Sequence, residues 1–188
     1  LIKELSSEIK NDAGKEYISF LKKYLEKGKK YVTDKMPGNY INIGFIKLIL
    51  PKAKIINIER NPMDNCFSLF SLRFNRGHEF SYDLEMLGKN YNLYQDLMNF
   101  WNKEFNNDIY NIKYESLVEN IEKETRKLLN YCNLNFEENC INFHKNKRSV
   151  LTASSVQVRK KINTSSINRW KRYDKDLTLL KDVLNKKI

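Results

Sequence analysis

The chain has 188 residues, 41% hydrophobic and 12% aromatic, so it is not a disordered polypeptide and has room for a packed core in a single domain. Lys and Arg number 34 against 23 Asp and Glu, a formal net charge of +11, which favours an anionic ligand or partner and brings nucleic acid into consideration. Much of that excess is lysine in a sequence also heavy in Asn and Ile, a usage that biased base composition also produces, so the charge carries little functional weight. No apolar run is long enough to span a membrane, and Leu1-Ile2-Lys3-Glu4-Leu5 is not a secretory signal, so the expected location is cytoplasmic. With no initiator Met, the chain is expected to begin inside a longer protein. Cys66, Cys132 and Cys140, with His78 and His144, form neither a CxxC pair nor a zinc pattern, and no metal is expected. Cys66 and Cys132 fall in apolar helical patterns and read as reduced core residues.

In chain order, residues 1–28 read as an amphipathic helix, with Tyr17, Phe20, Leu21, Tyr24 and Leu25 at helical spacing and Gly28 as a stop. Tyr31-Val32-Thr33 is a predicted short strand, followed by the loop Asp34 to Asn39 and a helix over 40–49. Residues 54–59 form a strand and 62–73 a helix. Residues 73–81 are a loop with Gly77 as its flexible point. A long helix is predicted from Tyr82 to Phe105, with Leu84, Leu87, Tyr91, Tyr94, Met98 and Trp101 on its apolar face. A third strand covers Ile109 to Tyr114, and Ser116-Leu117-Val118-Glu119 reads as a capping box opening a helix that ends near Cys132. Residues 136–145 are expected to be helical, 147–166 to be a polar basic loop, and 167–184 to be helical again. Strands alternating with helices predict an α/β fold with a parallel sheet flanked by helices.

The most telling stretch runs from Lys54 to Ser68. Ile55, Ile56 and Ile58 are β-branched, as a central strand requires; Asn61 is a good N-cap, Pro62 suits the first helical position, and Asp64 follows three residues after the cap. Arg60 therefore stands at the carboxyl end of a strand beside a helix N-terminus, where open α/β sheets bind ligands and backbone N–H groups favour anions. A guanidinium there can grip a phosphate bidentately. It can equally be a structural arginine paired with Glu59 or Asp64, and these residues alone leave both readings open.

Four motifs occur in order: Val32-Thr33-Asp34-Lys35-Met36-Pro37-Gly38-Asn39, the Ile55–Ser68 stretch, Phe80-Ser81-Tyr82-Asp83-Leu84, and Lys113-Tyr114-Glu115-Ser116-Leu117. The set resembles the sulfotransferases that use PAPS (3′-phosphoadenosine 5′-phosphosulfate). It is most similar to the bacterial, often TPR-linked, branch akin to tyrosylprotein sulfotransferases. The tail Thr152 to Arg159, with Asn168-Arg169-Trp170, resembles the same branch. The likeness covers about residues 30–180 and implies a P-loop-like α/β fold.

The resemblance implies roles for particular residues. Arg60 and Ser68 would hold the 3′-phosphate of the nucleotide. Arg73 would stand in for a further family arginine whose own position holds Leu72. Lys35 would contact the leaving oxygen between sulfate and nucleotide, since group transfer of this kind gains most from positioning and from neutralising leaving-group charge. Tyr114 would contribute to the nucleotide site, and the Ser154–Asn163 stretch, with Ser154 and Arg159, would close over it. Arg169 falls where the tyrosylprotein enzymes carry a Lys just before a Trp. Taken singly, Lys35 is also what a solvated loop lysine looks like, Ser68 an ordinary helical serine, and Tyr114 a half-buried sheet tyrosine. The implied co-substrate is PAPS, with 3′,5′-bisphosphoadenosine as product, and the implied acceptor is a hydroxyl, with a peptide tyrosine among the candidates. Residues 74–82, with Arg76, His78 and Tyr82, are the place expected for acceptor contacts.

One departure stands out. The Gly/Ser/Thr-rich loop that cradles the 5′-phosphosulfate in that family has no counterpart in residues 1–34, and neither has its general base. The chain therefore reads as the carboxyl-terminal portion of a sulfotransferase domain, lacking the sheet's first strand. Two other functions compete: a catalytically incomplete fragment, as a monomer or an oligomer, that binds nucleotide weakly or not at all, and a basic nucleic-acid-binding module. The last lacks any RRM, KH or OB signature, so no nucleic-acid partner is expected.

Overall fold

Two parallel strands lie side by side. β1 (Ile55–Glu59) and β2 (Ile109–Lys113) pair in register from Ile55 with Ile109 to Glu59 with Lys113. The computed structural model describes residues 6–74, 77–106, 108–146 and 157–186. A parallel pair needs a long crossover, and here it consists of α3 (Pro62–Phe70), a 3₁₀ turn at Glu79–Tyr82, and α4 (Leu84–Glu104). Before β1 come α1 (Ser7–Lys22) and α2 (Ile43–Ile49); after β2 come α5 (Tyr114–Glu119), α6 (Ile121–Tyr131) and, near the end, α7 (Thr178–Asn185). This is the expected α/β architecture, a parallel sheet flanked by helices.

Local chemistry explains the boundaries. The Ser6 hydroxyl accepts from the Ile9 N–H at the start of α1, Asn61 Oδ1 from the Asp64 N–H at α3, and Asp83 Oδ1 from the Met86 N–H at α4. The single helix expected after β2 is two. At Asn120 (φ −136°, ψ 57°) the backbone leaves helical geometry, its N–H closing α5 on the Ser116 carbonyl and its carbonyl opening α6 to the Glu124 N–H. α5 begins at Tyr114, two residues before the supposed capping box, and has no side-chain cap, so Tyr114 is the first residue of a helix rather than the last of a strand. Over 136–145 only two short 3₁₀ turns form, at Glu138–Cys140 and Phe143–Lys145.

Two strand expectations fail. Tyr31-Val32-Thr33 pairs with nothing and is exposed, with Tyr31 at 66%. β1 is not buried on both faces: Ile56 is 42% and Ile58 56% exposed. The α6 side of the sheet explains the second. Tyr131 stacks on Tyr110 with ring centroids 5.1 Å apart, so the helix shields β2, where Ile112 is buried, and leaves the neighbouring isoleucines of β1 open.

The main core lies between α3, α4 and α7, with Met63, Cys66 and Phe67 against Leu87 and Tyr91 and against Leu177 and Leu180. A second cluster gathers Ile43, Met98 and Ile109, closed by Tyr40, Tyr94 and Trp101, and the Trp101 indole N–H donates to the Tyr40 carbonyl at 2.8 Å. At the amino ends of the strands the ammonium of Lys47 bonds the Pro51 carbonyl and the Asp108 carboxylate, each at 3.0 Å.

Gly88 lets α7 approach α4. A Cβ there would lie 2.7 Å from Val183 Cγ1 and 3.3 Å from Leu180 Cδ1. Gly88→Ala gains about 1 kcal/mol of helix propensity but overpacks the contact by about 1–3 kcal/mol, so the net expectation is a loss of stability, read from urea denaturation. An equal or higher midpoint would show that α7 shifts freely.

Cys66 is fully buried, and burial pushes its thiol up to about 12. Its folded value lies above the unfolded one, so the buried thiol favours the native state at ordinary pH and ceases to do so only as alkaline pH climbs through both values. At pH 8 a thiol reagent should modify exposed Cys140 quickly and Cys66 only after denaturation. Rapid native modification of Cys66 would contradict this packing.

Candidate functional site

Arg60 follows β1 directly and precedes the first turn of α3, and its backbone is held on both sides. The Tyr91 hydroxyl donates to the Arg60 carbonyl at 2.9 Å, and the next amide, Asn61 N–H, donates to Glu115 Oε1 at 2.9 Å. Burial raises the Tyr91 phenol well above its ordinary range, so it remains a donor across ordinary pH. Strand end, helix start and the opening of α5 are thus joined at one point.

The Arg60 side chain has three relations. Its Nη2 donates to the Ser166 carbonyl at 2.8 Å, its guanidinium lies 5.0 Å from the centroid of the Tyr114 ring, and its buried Nε has no partner among the described residues. The Tyr114 and Ser166 hydroxyls are 2.8 Å apart. Among the described residues Arg60 makes no ion pair with Glu59 or Asp64. Glu59 instead accepts from Asn57 Nδ2, and Asp64, 1% exposed, accepts from the backbone N–H groups of Asn168 and Trp170. A buried guanidinium N–H without an acceptor is costly, and an oxyanion is the acceptor that suits it best.

Arg60 also lines a cleft of about 520 Å³ at the carboxyl ends of both strands, with Glu59, Asn61, Tyr91, Tyr94, Lys113 and Glu115 among its walls. A ligand cleft at that end of a parallel sheet is the general rule for open α/β folds.

The other expected site residues are placed as follows. Ser68 is half-buried on α3, six residues after Pro62, and no hydrogen bond joins it to Arg60. Arg73 is exposed in the coil after α3, and Lys35 is exposed in the extended segment before the 3₁₀ turn at Pro37–Asn42. Beside Lys35, the Asp34 carboxylate accepts from the Tyr17 hydroxyl, which raises the Tyr17 phenol and ties this segment to α1. Arg169 sits 5.6 Å from the ring centroid of Phe67 on α3. Arg159 is exposed, in the 3₁₀ turn Gln157–Arg159, and Ser154 lies outside the described residues. The structure thus brings Arg60 and Tyr114 together and packs Arg169 against Phe67 of α3, but joins neither Lys35 nor Arg73 to them. In the stretch expected to meet an acceptor, the Tyr82 hydroxyl braces the loop by accepting from the Phe74 N–H and donating to its carbonyl; His78 packs between Phe74 and Phe80, and Arg76 lies outside the described residues.

Sequence reasoning missed Ser166 and Tyr91. Ser166 acts through its carbonyl, which carries no side-chain signal, and Tyr91 looked like one more apolar position of a long helix. Among the described residues no group of three or more His, Cys, Asp or Glu is placed to hold a metal ion, and no helix is long and apolar enough to cross a membrane.

A family model for the sulfotransferase family matches residues 4–138, which include Lys35, Arg60, Ser68, Arg73 and Tyr114. The chain belongs to the sulfotransferase family. An uncharacterized protein of Aquifex aeolicus (strain VF5) is 38% identical over 156 residues, 81% of this chain and 20% of that protein. This sulfotransferase-family chain therefore spans about a fifth of the length of that curated relative. Ser154, Arg159 and Arg169 lie beyond the matched span.

Proposed function

We propose that this domain transfers a sulfuryl group from PAPS to a hydroxyl acceptor. Arg60 carries the reading: a strand-end arginine that lines the cleft, its guanidinium against the Tyr114 ring and its buried Nε without a partner among the described residues. Those features suit the 3′-phosphate of the nucleotide, with Ser68 as a further donor and Arg73 and Arg169 as supplementary cations. Tyr114 and the stretch bearing Ser154 and Arg159 would hold the adenosine. In the reaction the acceptor oxygen bonds to sulfur, the bond from sulfur to the bridging oxygen breaks, and 3′,5′-bisphosphoadenosine departs. The acceptor proton passes to a base. Lys35 would neutralise the charge that develops on the bridging oxygen. A peptide tyrosine is one candidate acceptor.

The exposure of Lys35, apart from Arg60, favours a second reading, in which this stretch of chain is catalytically incomplete and binds nucleotide weakly or not at all. One experiment separates them. The melting temperature should rise with 3′,5′-bisphosphoadenosine and not with AMP, because a ligand that binds only the native state stabilises it by mass action. Radiolabelled sulfate transfer from PAPS to a panel of hydroxyl acceptors then distinguishes enzyme from binder. No shift with the bisphosphate would defeat the first reading and leave the incomplete fragment.

A further inference from the structure

The segment from Ser166 to Trp170 is held at two points, by Arg60 at the strand end and by Asp64 on the first turn of α3. At its start, the Ser166 carbonyl accepts from Arg60 Nη2 at 2.8 Å and its hydroxyl pairs with Tyr114. At its end, Asp64 Oδ2 accepts from the Asn168 N–H at 2.6 Å, and Oδ1 from the Trp170 N–H at the long distance of 3.5 Å. Turning both amides toward one carboxylate requires a sharp bend, and Asn168 makes it in the left-handed region at φ 60°. Asn tolerates that conformation better than most residues with a Cβ.

Asp64 is 1% exposed, and a carboxylate so buried needs compensation. The two amides supply it, together with the N-terminal end of α3, on whose first turn Asp64 stands. Asp64 does not line the cleft and has no direct bond to Arg60. Its effect on the guanidinium passes through the backbone of 166–170.

We propose that Asp64 is a positioning residue for anion binding. By anchoring 166–170 it holds the Ser166 carbonyl in place, which occupies Arg60 Nη2 and leaves Nε to donate to an oxygen of a phosphate monoester. The proposal deepens the reading of Arg60 as the phosphate site and rests on it. A guanidinium released from Ser166 would have its rotamer freedom to lose on binding, and affinity would fall without any ligand contact being removed.

Two readouts test it: the Kd of 3′,5′-bisphosphoadenosine, and the hydrogen exchange of the Arg60 Nε–H by NMR, its resonance assigned by its absence in Arg60→Lys. In Asp64→Asn the Nε–H should exchange faster than in the wild type and the Kd should rise about tenfold, the equivalent of one hydrogen bond. Asn168→Ala, at an exposed position, strains the bend and should raise the Kd about fivefold, whereas Asn168→Gly keeps it near the wild-type value. If Asp64→Asn fails to fold, the Asn168 pair decides. Wild-type exchange and affinity in Asp64→Asn or Asn168→Ala would overturn the proposal. If the wild type binds no bisphosphate, the phosphate-site reading fails by itself, and the exchange comparison still judges the link from Asp64 to Arg60.

Discussion

Arg60→Ala should remove most of the response to 3′,5′-bisphosphoadenosine. At a ligand concentration about a hundred times the Kd, binding stabilises the native state by about 2.7 kcal/mol, which in a domain of this size raises the melting temperature by about 5–11 °C. A hydrogen bond to a charged group contributes about 1.5–3 kcal/mol, so losing the guanidinium weakens binding by roughly 10- to 150-fold. At the same ligand concentration the shift then shrinks to about 1–5 °C. The unliganded variant should itself melt somewhat lower, because the Ser166 carbonyl loses its donor; measuring each shift against its own unliganded protein removes that offset. Arg60→Lys should fall between the two, since it keeps the charge but not the planar fork. A full shift in Arg60→Ala would move the phosphate site elsewhere.

Leu180→Ala should be the most damaging of the core truncations. Leu180 is fully buried on α7, in the cluster that holds Met63, Cys66 and Phe67 of α3 against Leu87 and Tyr91 of α4. Truncating such a leucine costs about 2–5 kcal/mol, a large part of the roughly 5–15 kcal/mol by which a domain is stable. Its neighbour Leu179 is 51% exposed, and Leu179→Ala should stay within about 0.5 kcal/mol of the wild type. Urea denaturation of the pair tests the packing of α7. Equal losses would mean that the helix is not docked on this face.

The start of α3 was readable because it depends on a short side chain three residues from the amide it caps, Asn61 on Asp64, whereas the start of α4, expected at Tyr82, lies at Leu84 because Asp83 caps the Met86 amide. The strand character of 55–59 was readable from β-branched residues, but its burial was not, because that depends on which neighbour covers it. Tyr31-Val32-Thr33 has strand composition and no strand to pair with. The break at Asn120 was hidden because Asn is unremarkable in a polar helical stretch, and only the backbone shows that two helices meet there.

At the candidate site the division is similar. Sequence alone determined that a lone arginine would stand between a strand and a capped helix, because strand propensity, the Asn61 cap and Pro62 at the first helical position are all local. It could not decide between a ligand and a structural partner for that arginine. The tertiary structure decided that the guanidinium pairs with neither Glu59 nor Asp64 but meets the Ser166 carbonyl, 106 residues away, and the ring of Tyr114. Contacts of that range depend on how α3, β2 and the 166–170 segment are packed together, and a backbone carbonyl leaves no mark in the sequence that supplies it.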